Sequence, residues 1–226
     1  MKITIAIPTY EYNGLGWNFL TDLLNSIHRQ SYSDYNVIVS DQSSDSQIKN
    51  IVNYYSDLMD IKWIDATDIK RGVSSNLNNS IKKSDGDIVK LMCGDDFFID
   101  SNALVKIKNS LDGNEKWCLM GCLHCRENIF SFYDRMIPRY HDKIHLGANT
   151  ISGPSVLSLK VKEYFDENLC MLADCEIYKR LYMKYGEPSI IQDPLICNRM
   201  HNDQAQKNFS SLLEKEKIYC TSIYGE

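Results

Sequence analysis

The chain begins with short apolar segments that alternate with segments of helical spacing, and this alternation limits the possible folds most strongly. The apolar runs, rich in β-branched residues and each followed by polar or turn-forming residues, lie at 3–7, 36–40, 61–64 and 87–92. The segments with helical spacing lie between them, at 15–30, 46–58 and 74–83. This order predicts an α/β fold with a mixed, mainly parallel sheet flanked by helices.

Polar residues follow three of these strands at the point where each strand ends. Thr9 and Tyr10 follow the first strand, Asp41 follows the second, and Asp95 and Asp96 follow the fourth. Ligands of mainly parallel sheets bind beyond the carboxyl ends of the strands. We therefore expect these five side chains to converge on one ligand site.

Asp95 and Asp96 are adjacent carboxylates that directly follow an apolar strand. Their like charges are unfavourable together unless a cation neutralises them, and oxygen ligands suit Mg²⁺ or Mn²⁺. A solvated Asp-Asp turn is the alternative interpretation, and such turns occur in proteins of any function.

Asp41 begins the segment DQSSD (41–45) at a strand-to-helix turn. Its carboxylate could accept a hydrogen bond from the N–H of a nucleotide base. Asp and Ser are equally good turn and cap residues without any ligand. The residues alone leave both interpretations open.

The second half of the chain is less regular. Strands are predicted at 116–123 and 151–159, a helix at 171–185 and a last amphipathic helix at about 204–217. The apolar residues of that last helix, Phe209, Leu212 and Leu213, are expected to pack on the core. No repeat or linker-like segment divides the 226 residues, which predicts a single domain.

The charge and the apolar runs exclude some classes of protein. A formal net charge of −5 argues against a general nucleic-acid binder, which normally carries a basic face. The first apolar run ends at Pro8, too early for a signal-peptide core, and no later segment reaches the roughly 18 apolar residues of a membrane span. These observations predict a cytoplasmic protein without a transmembrane segment, possible peripheral membrane contact being left open.

The eight cysteines are scattered along the chain, and no secretion signal accompanies them. We therefore expect reduced thiols. Cys118, Cys122, His124 and Cys125 have roughly the density of a zinc site, but they lack the paired C-x-x-C knuckles of one. Buried thiols on a strand are the favoured interpretation of this cluster.

Five segments of the first half form an ordered series of motifs. They are 5–10 (IAIPTY), 30–41 (QSYSDYNVIVSD), 41–45 (DQSSD), 71–80 (RGVSSNLNNS) and 84–91 (SDGDIVKL). In this order they resemble the nucleotide-binding half of family 2 glycosyltransferases, whose motifs read P-x-Y/T-N, Q-x-Y-x-x-x-E-I-I-V-V-D, D-D-G-S-x-D, N-x-G-x-x-x-A-R-N-x-G and A-x-G-E-Y-I-x-F-L. The resemblance implies one Rossmann-like GT-A domain over 1–226, with a nucleotide-binding half at 1–110 and an acceptor half at 111–226.

The resemblance also implies a nucleotide-sugar site for a UDP-sugar donor. By position in the motifs, Asp41 would read the uracil, and Thr9 and Tyr10 would line the base pocket. The other implied contacts of the nucleotide-sugar are Pro8, Arg71, Asn76, Gly94 and Asp95.

The D-x-D metal motif of the family is replaced here by CGDD at 93–96. Cys93 stands where the family has its leading acid, and Asp95 stands where the family has its direct metal ligand. The resemblance therefore implies a Mn²⁺ or Mg²⁺ ion on Asp95, with Asp96 as a further candidate ligand. A late segment, RMH (199–201), resembles the family's R-x-H, which makes His201 a third candidate ligand.

Two segments of the second half carry a thinner resemblance. GPS (153–155) resembles the small-residue strand before the acceptor site, and LADCEIYKRL (172–181) resembles x-E-D-x-x-L-W-x-R-L. The Asp of that second motif is the family's general base, which maps to Asp174. Ala173 replaces the acid that precedes it.

The function implied is an inverting transfer of the sugar to a hydroxyl of a glycan or surface polysaccharide. Asp174 would take the acceptor proton, and Arg71, or Arg199 with His201, would add positive charge at the phosphates.

A sugar nucleotidyltransferase is one alternative, although such enzymes usually have a Gly-rich basic loop after the first strand, and 8–14 contain no basic residue. A degenerate sugar-nucleotide or glycan-binding module is the other alternative, supported by Cys93 and Ala173.

Overall fold

Nine strands of the described residues form one mixed sheet. The computed structural model describes residues 1–126, 129–147, 150–202, 204 and 210–225. The strands are β1 (Ile3–Thr9), β2 (Tyr35–Asp41), β3 (Ile61–Asp65), β4 (Ile88–Leu91), β5 (Phe97–Phe98), β6 (Trp117–Cys125), β7 (Tyr133–Met136), β8 (Leu157–Leu159) and β9 (Ser189–Arg199). Their order is β3-β2-β1-β4-β8-β6-β9-β5, and β7 pairs with β6.

Six α-helices of the described residues accompany the sheet. They are α1 (Gly16–His28), α2 (Gln47–Tyr55), α3 (Val73–Lys83), α4 (Ala103–Ser110), α5 (Ala173–Tyr185) and α6 (Leu213–Tyr224). Short 3₁₀ turns lie at Tyr12–Gly14, Ile144–Leu146, Pro154–Val156 and Ser210–Leu212. None of the described helices is long and apolar enough to cross a membrane.

The apolar faces of these elements form the core. The four residues that predicted α1, Leu20, Leu23, Leu24 and Ile27, are fully buried, because their spacing places them on one face of the helix. Together with the strands they belong to one continuous apolar cluster. The predicted α/β fold with a mixed sheet and flanking helices is confirmed.

The parallel strands β1 to β4 end at the same edge of the sheet. Thr9 pairs with Asp41, and Asp41 pairs with Asp65. The ladder between β1 and β4 ends at Ala6 and Leu91, so the residues that follow β4 leave the sheet at this edge. The antiparallel pairing of β5 with β9 then brings the end of β9 back to residues 95 and 96.

Three predicted segments differ from the observed ones. β1 continues through Pro8 to Thr9. Pro8 has no N–H to donate, but its N faces the β4 side of the strand, and the β1–β4 ladder has already ended at Ala6 and Leu91. The carbonyl of Pro8 still accepts the N–H of Gly94. The strand predicted at 151–159 is confined to β8, since Pro154 begins a 3₁₀ turn before it. Of the last helix, predicted at about 204–217, residues 205–209 lie outside the described residues, and the described part of the chain forms a helix at Leu213–Tyr224.

The predicted packing of that last helix concerns residues on both sides of a gap. Phe209 lies outside the described residues. Leu213 is partly buried and packs against the core, and the helix buries Glu216 and Cys220. The observed buried face is therefore more polar than the sequence pattern indicated.

Candidate active site

The loop after β4, residues 92–96, carries a compact group of side chains of metal-binding types and is called the acidic loop. One ligand atom each from Cys93, Asp95 and Asp96 lies within 4.8 Å of the others. Asp95 Oδ2 lies 2.9 Å from His201 Nε2, and its Oδ1 lies 3.4 Å from the hydroxyl of Tyr12. The structure thus brings together Asp95, Asp96 and His201, the three residues predicted to hold a metal.

Asp96 and Asp95 have different surroundings although they are adjacent. Asp96 is buried, its Oδ2 accepts from Asn198 Nδ2 at 2.8 Å, and its Oδ1 accepts from the backbone N–H of Arg199 at 3.0 Å. Burial, together with the neighbouring Asp95 carboxylate, raises the pKa of Asp96. Asp96 therefore ties the acidic loop to the end of β9, while Asp95 extends toward His201.

Arg199 was expected to add positive charge at the phosphates, but its guanidinium is occupied within the fold. It is buried, donates to Asp22 Oδ2 at 2.7 Å and to the carbonyl of Asp95 at 3.0 Å, and lies over the ring of Phe19 at 4.5 Å. These contacts join β9 to α1 and to the acidic loop. In this arrangement the Arg199 guanidinium holds the backbone of Asp95 and does not face an open site.

Lys90 is a fully buried cation in β4, close to the acidic loop. Its ammonium donates to the carbonyl oxygens of Ser155 and Leu157, and burial lowers the pKa of Lys90 to about 7. Ser155 Oγ in turn accepts the backbone N–H of Cys93 at 2.8 Å. Lys90 thus fixes the segment that holds the start of the acidic loop.

The loop after β1 places two aromatic rings beside Asp95. The ring centroids of Tyr10 and Tyr12 are 3.9 Å apart, and Tyr12 also meets the imidazole of His201 edge-on at 5.6 Å. Burial raises the pKa of Tyr12, and the charge of Asp95 adds to the shift, so the phenol stays protonated and can donate. Tyr12 and Asn13 have φ values of 45° and 51°, the left-handed region that non-glycine residues seldom occupy.

Asp41 is buried at the end of β2 with hydrogen bonds to both carboxylate oxygens. Its Oδ1 accepts from the backbone and side chain of Ser43, and its Oδ2 accepts from Trp63 Nε1 at 2.9 Å. Burial raises the pKa of Asp41, although the bonds from Ser43 and Trp63 act in the opposite direction. A carboxylate offers about four acceptor positions, so one position on Oδ2 remains.

A cavity opens beside Asp41. It has a volume of about 220 Å³ and is lined by Gln42, Ser43, Ser44, Ala66, Thr67, Ile69 and Arg71. Arg71, a predicted nucleotide contact, is well exposed at its mouth and forms an ion pair with Glu11 at 3.1 Å. The cavity borders the strand ends at which the ligand site was predicted.

The remaining predicted nucleotide contacts are packed behind the carboxyl ends of the strands. Pro8 and Thr9 are buried at the end of β1, and Asn76 Nδ2 of α3 donates to the carbonyl of Thr9 at 3.0 Å. Asn76 Oδ1 is buried without a hydrogen-bond partner among the described residues. Gly94 packs directly on Thr9.

Replacing Gly94 with Ala should destabilise the protein. The new Cβ would lie 2.6 Å from Thr9 Oγ1 and 2.9 Å from Thr9 Cβ, and the buried, β-branched Thr9 has little room to move. Overpacking of this kind costs about 1–3 kcal/mol, which corresponds to a melting temperature lower by several degrees. In Gly153→Ala, the control, the Cβ meets no atom within 4 Å. Equal melting temperatures for the two variants would contradict this packing.

Asp174 lies in the first turn of α5, partly buried. Its Oδ1 accepts the backbone N–H of Cys175 at 2.8 Å. Burial raises the pKa of Asp174 to about 6. The charge of Asp174 adds to the raised pKa of Cys93 and of Tyr178, which burial mainly causes.

The cysteine cluster of β6 is not a metal site among the described residues. Cys118, Cys122, His124 and Cys125 lie along one strand, and His124 Nδ1 contacts Asp134 of the adjoining hairpin. The metal-binding side-chain group found in the described part of the chain is the one at 93–96. All eight cysteines are free thiols in the structure, and six of them are buried, as expected of buried thiols on a strand for Cys118, Cys122 and Cys125.

Several contributors to this site were not predicted from the sequence. Tyr12, Trp63 and Asn198 contact the acids through side chains that carry no motif of their own. Tyr12 was the most accessible of them to sequence reasoning, since it lies two positions after Tyr10 in a loop already assigned to the site. Asn198 gave a weaker signal, as the neighbour of the R-x-H segment.

The sequence pattern described as "Glycosyl transferase family 2" matches residues 4–169. The match covers well over half of the chain, so the chain belongs to this family. The predicted class of enzyme, a glycosyltransferase, is confirmed.

The individual relatives match parts of this chain at low sequence identity. A GalNAc(5)-diNAcBac-PP-undecaprenol beta-1,3-glucosyltransferase of Campylobacter jejuni is 30% identical over 131 residues, which are 58% of this chain and 41% of that protein. A poly(ribitol-phosphate) beta-N-acetylglucosaminyltransferase, TarS, of Staphylococcus aureus is 27% identical over 99 residues, 43% of this chain and 17% of that protein. The chain therefore spans less than half the length of either relative.

Solved structures share the fold over nearly the whole chain. A TarS fragment from S. aureus in complex with UDP-GlcNAc has a TM-score of 0.72 at 18% identity and covers 99% of this chain and 70% of that one. A mannosyltransferase from Pyrobaculum calidifontis in complex with GDP-Man and Mn²⁺ has a TM-score of 0.62 at 16% identity, covering 87% and 56%. The likeness confirms the predicted GT-A fold.

Proposed function

We propose that this glycosyltransferase moves a sugar from a UDP-sugar to an acceptor hydroxyl, with inversion at the anomeric carbon and with the help of a divalent cation. The observation that carries the proposal is the group of Asp95, Asp96 and His201 at the carboxyl end of the parallel strands, beside the cavity that borders Asp41. Asp95 is placed by Tyr12 and His201. Asp174 has a pKa raised to about 6 by burial and acts electrostatically on the same loop through Cys93.

Asp174 is the general base of this proposal. One oxygen accepts from Cys175 N, which leaves the other able to take a proton from the acceptor hydroxyl as that oxygen attacks the anomeric carbon. The C–O bond to the diphosphate breaks as the new glycosidic bond forms, and the diphosphate leaves with its electron pair. A base with a pKa of about 6 is mostly ionised at neutral pH and remains basic enough to assist.

The side chains of the acidic loop fit a divalent cation. Carboxylate oxygens suit Mg²⁺ and Mn²⁺, and the nearby imidazole and thiol favour Mn²⁺ between the two. Asp95 and His201 would hold the ion, and Asp96 would contribute through the anchoring of the loop to β9. When bound, a divalent cation neutralises charge that develops on the leaving diphosphate.

The donor would lie across the ends of β1, β2 and β4. Thr9, Tyr10 and the cavity beside Asp41 would receive the base, and the remaining acceptor position on Asp41 Oδ2 could meet a uracil N–H. Arg71 at the cavity mouth pairs with Glu11, and in the complex with the donor it could pair with a phosphate instead. The UDP-GlcNAc complex of the structurally similar TarS fragment supports a UDP-sugar as the donor.

The acceptor is proposed as a class of molecule and a half of the chain that would bind it. We assign residues 1–110 to nucleotide binding and 111–226, with Asp174, to the acceptor. The names of the two relatives specify β linkages to a lipid-linked saccharide and to a poly(ribitol-phosphate), which supports a surface-glycan precursor as acceptor. β linkages are also the product expected when transfer inverts an α-configured donor. Action at the cytoplasmic face of a membrane would suit such an acceptor.

Donor screening tests the proposal. The protein is incubated with UDP-glucose, UDP-galactose, UDP-GlcNAc, UDP-GalNAc or GDP-mannose, each with Mn²⁺ and with EDTA, and melting temperature and nucleotide release are measured. We expect Mn²⁺-dependent stabilisation by a UDP-sugar and slow release of UDP from it. Stabilisation only by GDP-mannose would refute the uridine assignment.

Two further outcomes would favour the alternatives. Pyrophosphate formed from UTP and a sugar 1-phosphate would indicate a nucleotidyltransferase. Mn²⁺-dependent UDP binding without turnover of any donor would indicate a binding module, the function that the replacements at Cys93 and Ala173 favour.

A further inference from the structure

Glu216 of α6 is buried against the loop that leads into α5. Its Oε1 accepts the backbone N–H of Cys170 at 2.9 Å, and its Oε2 accepts those of Met171 and Leu172, both at 2.9 Å. The three donors directly precede Ala173 and Asp174. Among the described residues, no basic side chain forms an ion pair with Glu216, so backbone N–H groups balance its charge.

These bonds hold the backbone that leads into α5, including the N–H of its N-cap residue. The first N–H groups of a helix lack partners within the helix, and a side chain at the N-cap position normally satisfies one of them. The N-cap residue of α5 is Leu172, which has no side chain for this purpose. The N–H of Leu172 itself is accepted by Glu216, 44 positions later in the chain, so the location of α6 determines how α5 begins.

We propose that Glu216 is a positioning residue for sugar transfer, which fixes the start of α5 and thereby the carboxylate of Asp174. The inference rests on the proposed function, because it gives Asp174 the role of general base. A helix that begins two residues after three fixed N–H groups has little freedom in its first turn. Displacement of a reacting group by about 1 Å can cost about 100-fold in rate.

The titratable groups around Asp174 come from three elements, and only Glu216 among them is charged at neutral pH because the thiols and the phenol have raised pKa values. α6 supplies Glu216, the loop after β4 supplies Cys93, and α5 itself supplies Cys175 and Tyr178. Burial is the main reason that the pKa of Asp174 is raised, and the negative charge of Glu216 acts in the same direction. Removal of that charge should therefore lower the pKa of Asp174 and shift the acidic limb of the rate profile to lower pH.

Two substitutions separate the charge from the position. Glu216→Gln removes the charge and keeps most of the reach, whereas Glu216→Asp keeps the charge and shortens the reach by one methylene. Glu214→Gln is the matched control, because Glu214 lies on the same helix, is largely exposed and pairs with Lys217. The Asp174 carboxyl is titrated by ¹³C NMR, its signal being identified by its loss in Asp174→Asn, and UDP release from UDP-GlcNAc with Mn²⁺ is measured against pH.

We expect Glu216→Gln to lower the midpoint of the Asp174 titration and to move the acidic limb of kcat with it. Glu216→Asp should leave the midpoint in place and lower kcat by about tenfold or more, with KM for UDP-GlcNAc nearly unchanged. Glu214→Gln should change neither quantity.

A folded Glu216→Gln protein with the midpoint and kcat of the unaltered chain would overturn the proposal. If Glu216→Asp does not fold, Glu216→Gln decides alone. A chain that turns over no donor in any form would refute the proposed function, and the NMR midpoint would still report whether Glu216 acts on Asp174.

Discussion

Asp174→Asn should lose sugar transfer and gain thermal stability at the same time. Without a base on the acceptor hydroxyl, the rate should fall by about 10²–10⁴-fold, while KM for the donor changes little. In the unaltered chain, the activity should rise with pH up to about 6, where Asp174 loses its proton, and then level off. The measurements are single-turnover transfer rates against pH and melting curves of both proteins.

The gain in stability follows from the sign of the pKa shift. Burial raises the pKa of Asp174 from 3.8 to about 6, so the folded protein binds this proton more tightly than the unfolded chain does. Stability linked to this group is complete below pH 3.8 and is lost as the pH rises through about 6. At pH 7.5 the buried charge costs about 2–3 kcal/mol, which Asn removes. If Asp174 only capped α5, the same change would lower the melting temperature.

Asp166→Asn is the control for this prediction. Asp166 lies in the same part of the chain, partly buried, and accepts from Tyr219 and Asn168. Burial raises its pKa, but these hydrogen bonds outweigh burial and leave the pKa of Asp166 lowered. Its replacement should therefore reduce stability, most clearly above pH 4, and leave the rate of transfer nearly unchanged. Equal effects of the two substitutions on the melting temperature would contradict the argument.

The strands and helices of the first half could be predicted because their signals are local. Alternation of apolar residues and helical spacing are properties of a few neighbouring residues, and α1 and β1 to β4 lie close to their predicted positions. The convergence of Thr9, Asp41 and Asp95 at one edge also follows, since parallel strands end together. Pro8 was misjudged because the effect of its missing N–H depends on where β4 ends.

The differences among the acids could not be predicted, since they arise from contacts distant in sequence. Asp95 and Asp96 look equivalent as a dipeptide, but Asp96 is bound by Asn198 and Arg199, 102 and 103 positions away. From the sequence, Glu216 is one of several charged residues on an amphipathic helix. Its contacts appear only when α6 is packed against the start of α5. The left-handed backbone at Tyr12 has no signal in the residue type.

Asp95→Asn should abolish the cation-dependent part of donor binding. The substitution leaves an amide where Asp95 meets Tyr12 and His201, and it removes the negative charge on which a Mn²⁺ ion would rest. Loss of even a supporting group of a metal site costs about 10–100-fold in affinity, so loss of this ligand should cost at least that. Mn²⁺ binding is followed by electron paramagnetic resonance, and UDP binding by calorimetry with Mn²⁺ or EDTA.

Asp100→Asn is the matched control, because Asp100 lies on the segment that follows the acidic loop but forms an ion pair with Lys106 at 2.8 Å. It should retain Mn²⁺-dependent UDP binding. Asp96→Asn separates the two acids further: its amide NH₂ cannot accept, so one of the bonds from Asn198 Nδ2 and Arg199 N is lost, and we expect weaker Mn²⁺ binding as the loop loses its link to β9. If Asp95→Asn binds Mn²⁺ and UDP as the unaltered chain does, Asp95 is not the ligand, and the cation must be held elsewhere or not at all. If Asp96→Asn alone abolishes binding, the two neighbouring carboxylates exchange the roles that their hydrogen bonds indicate.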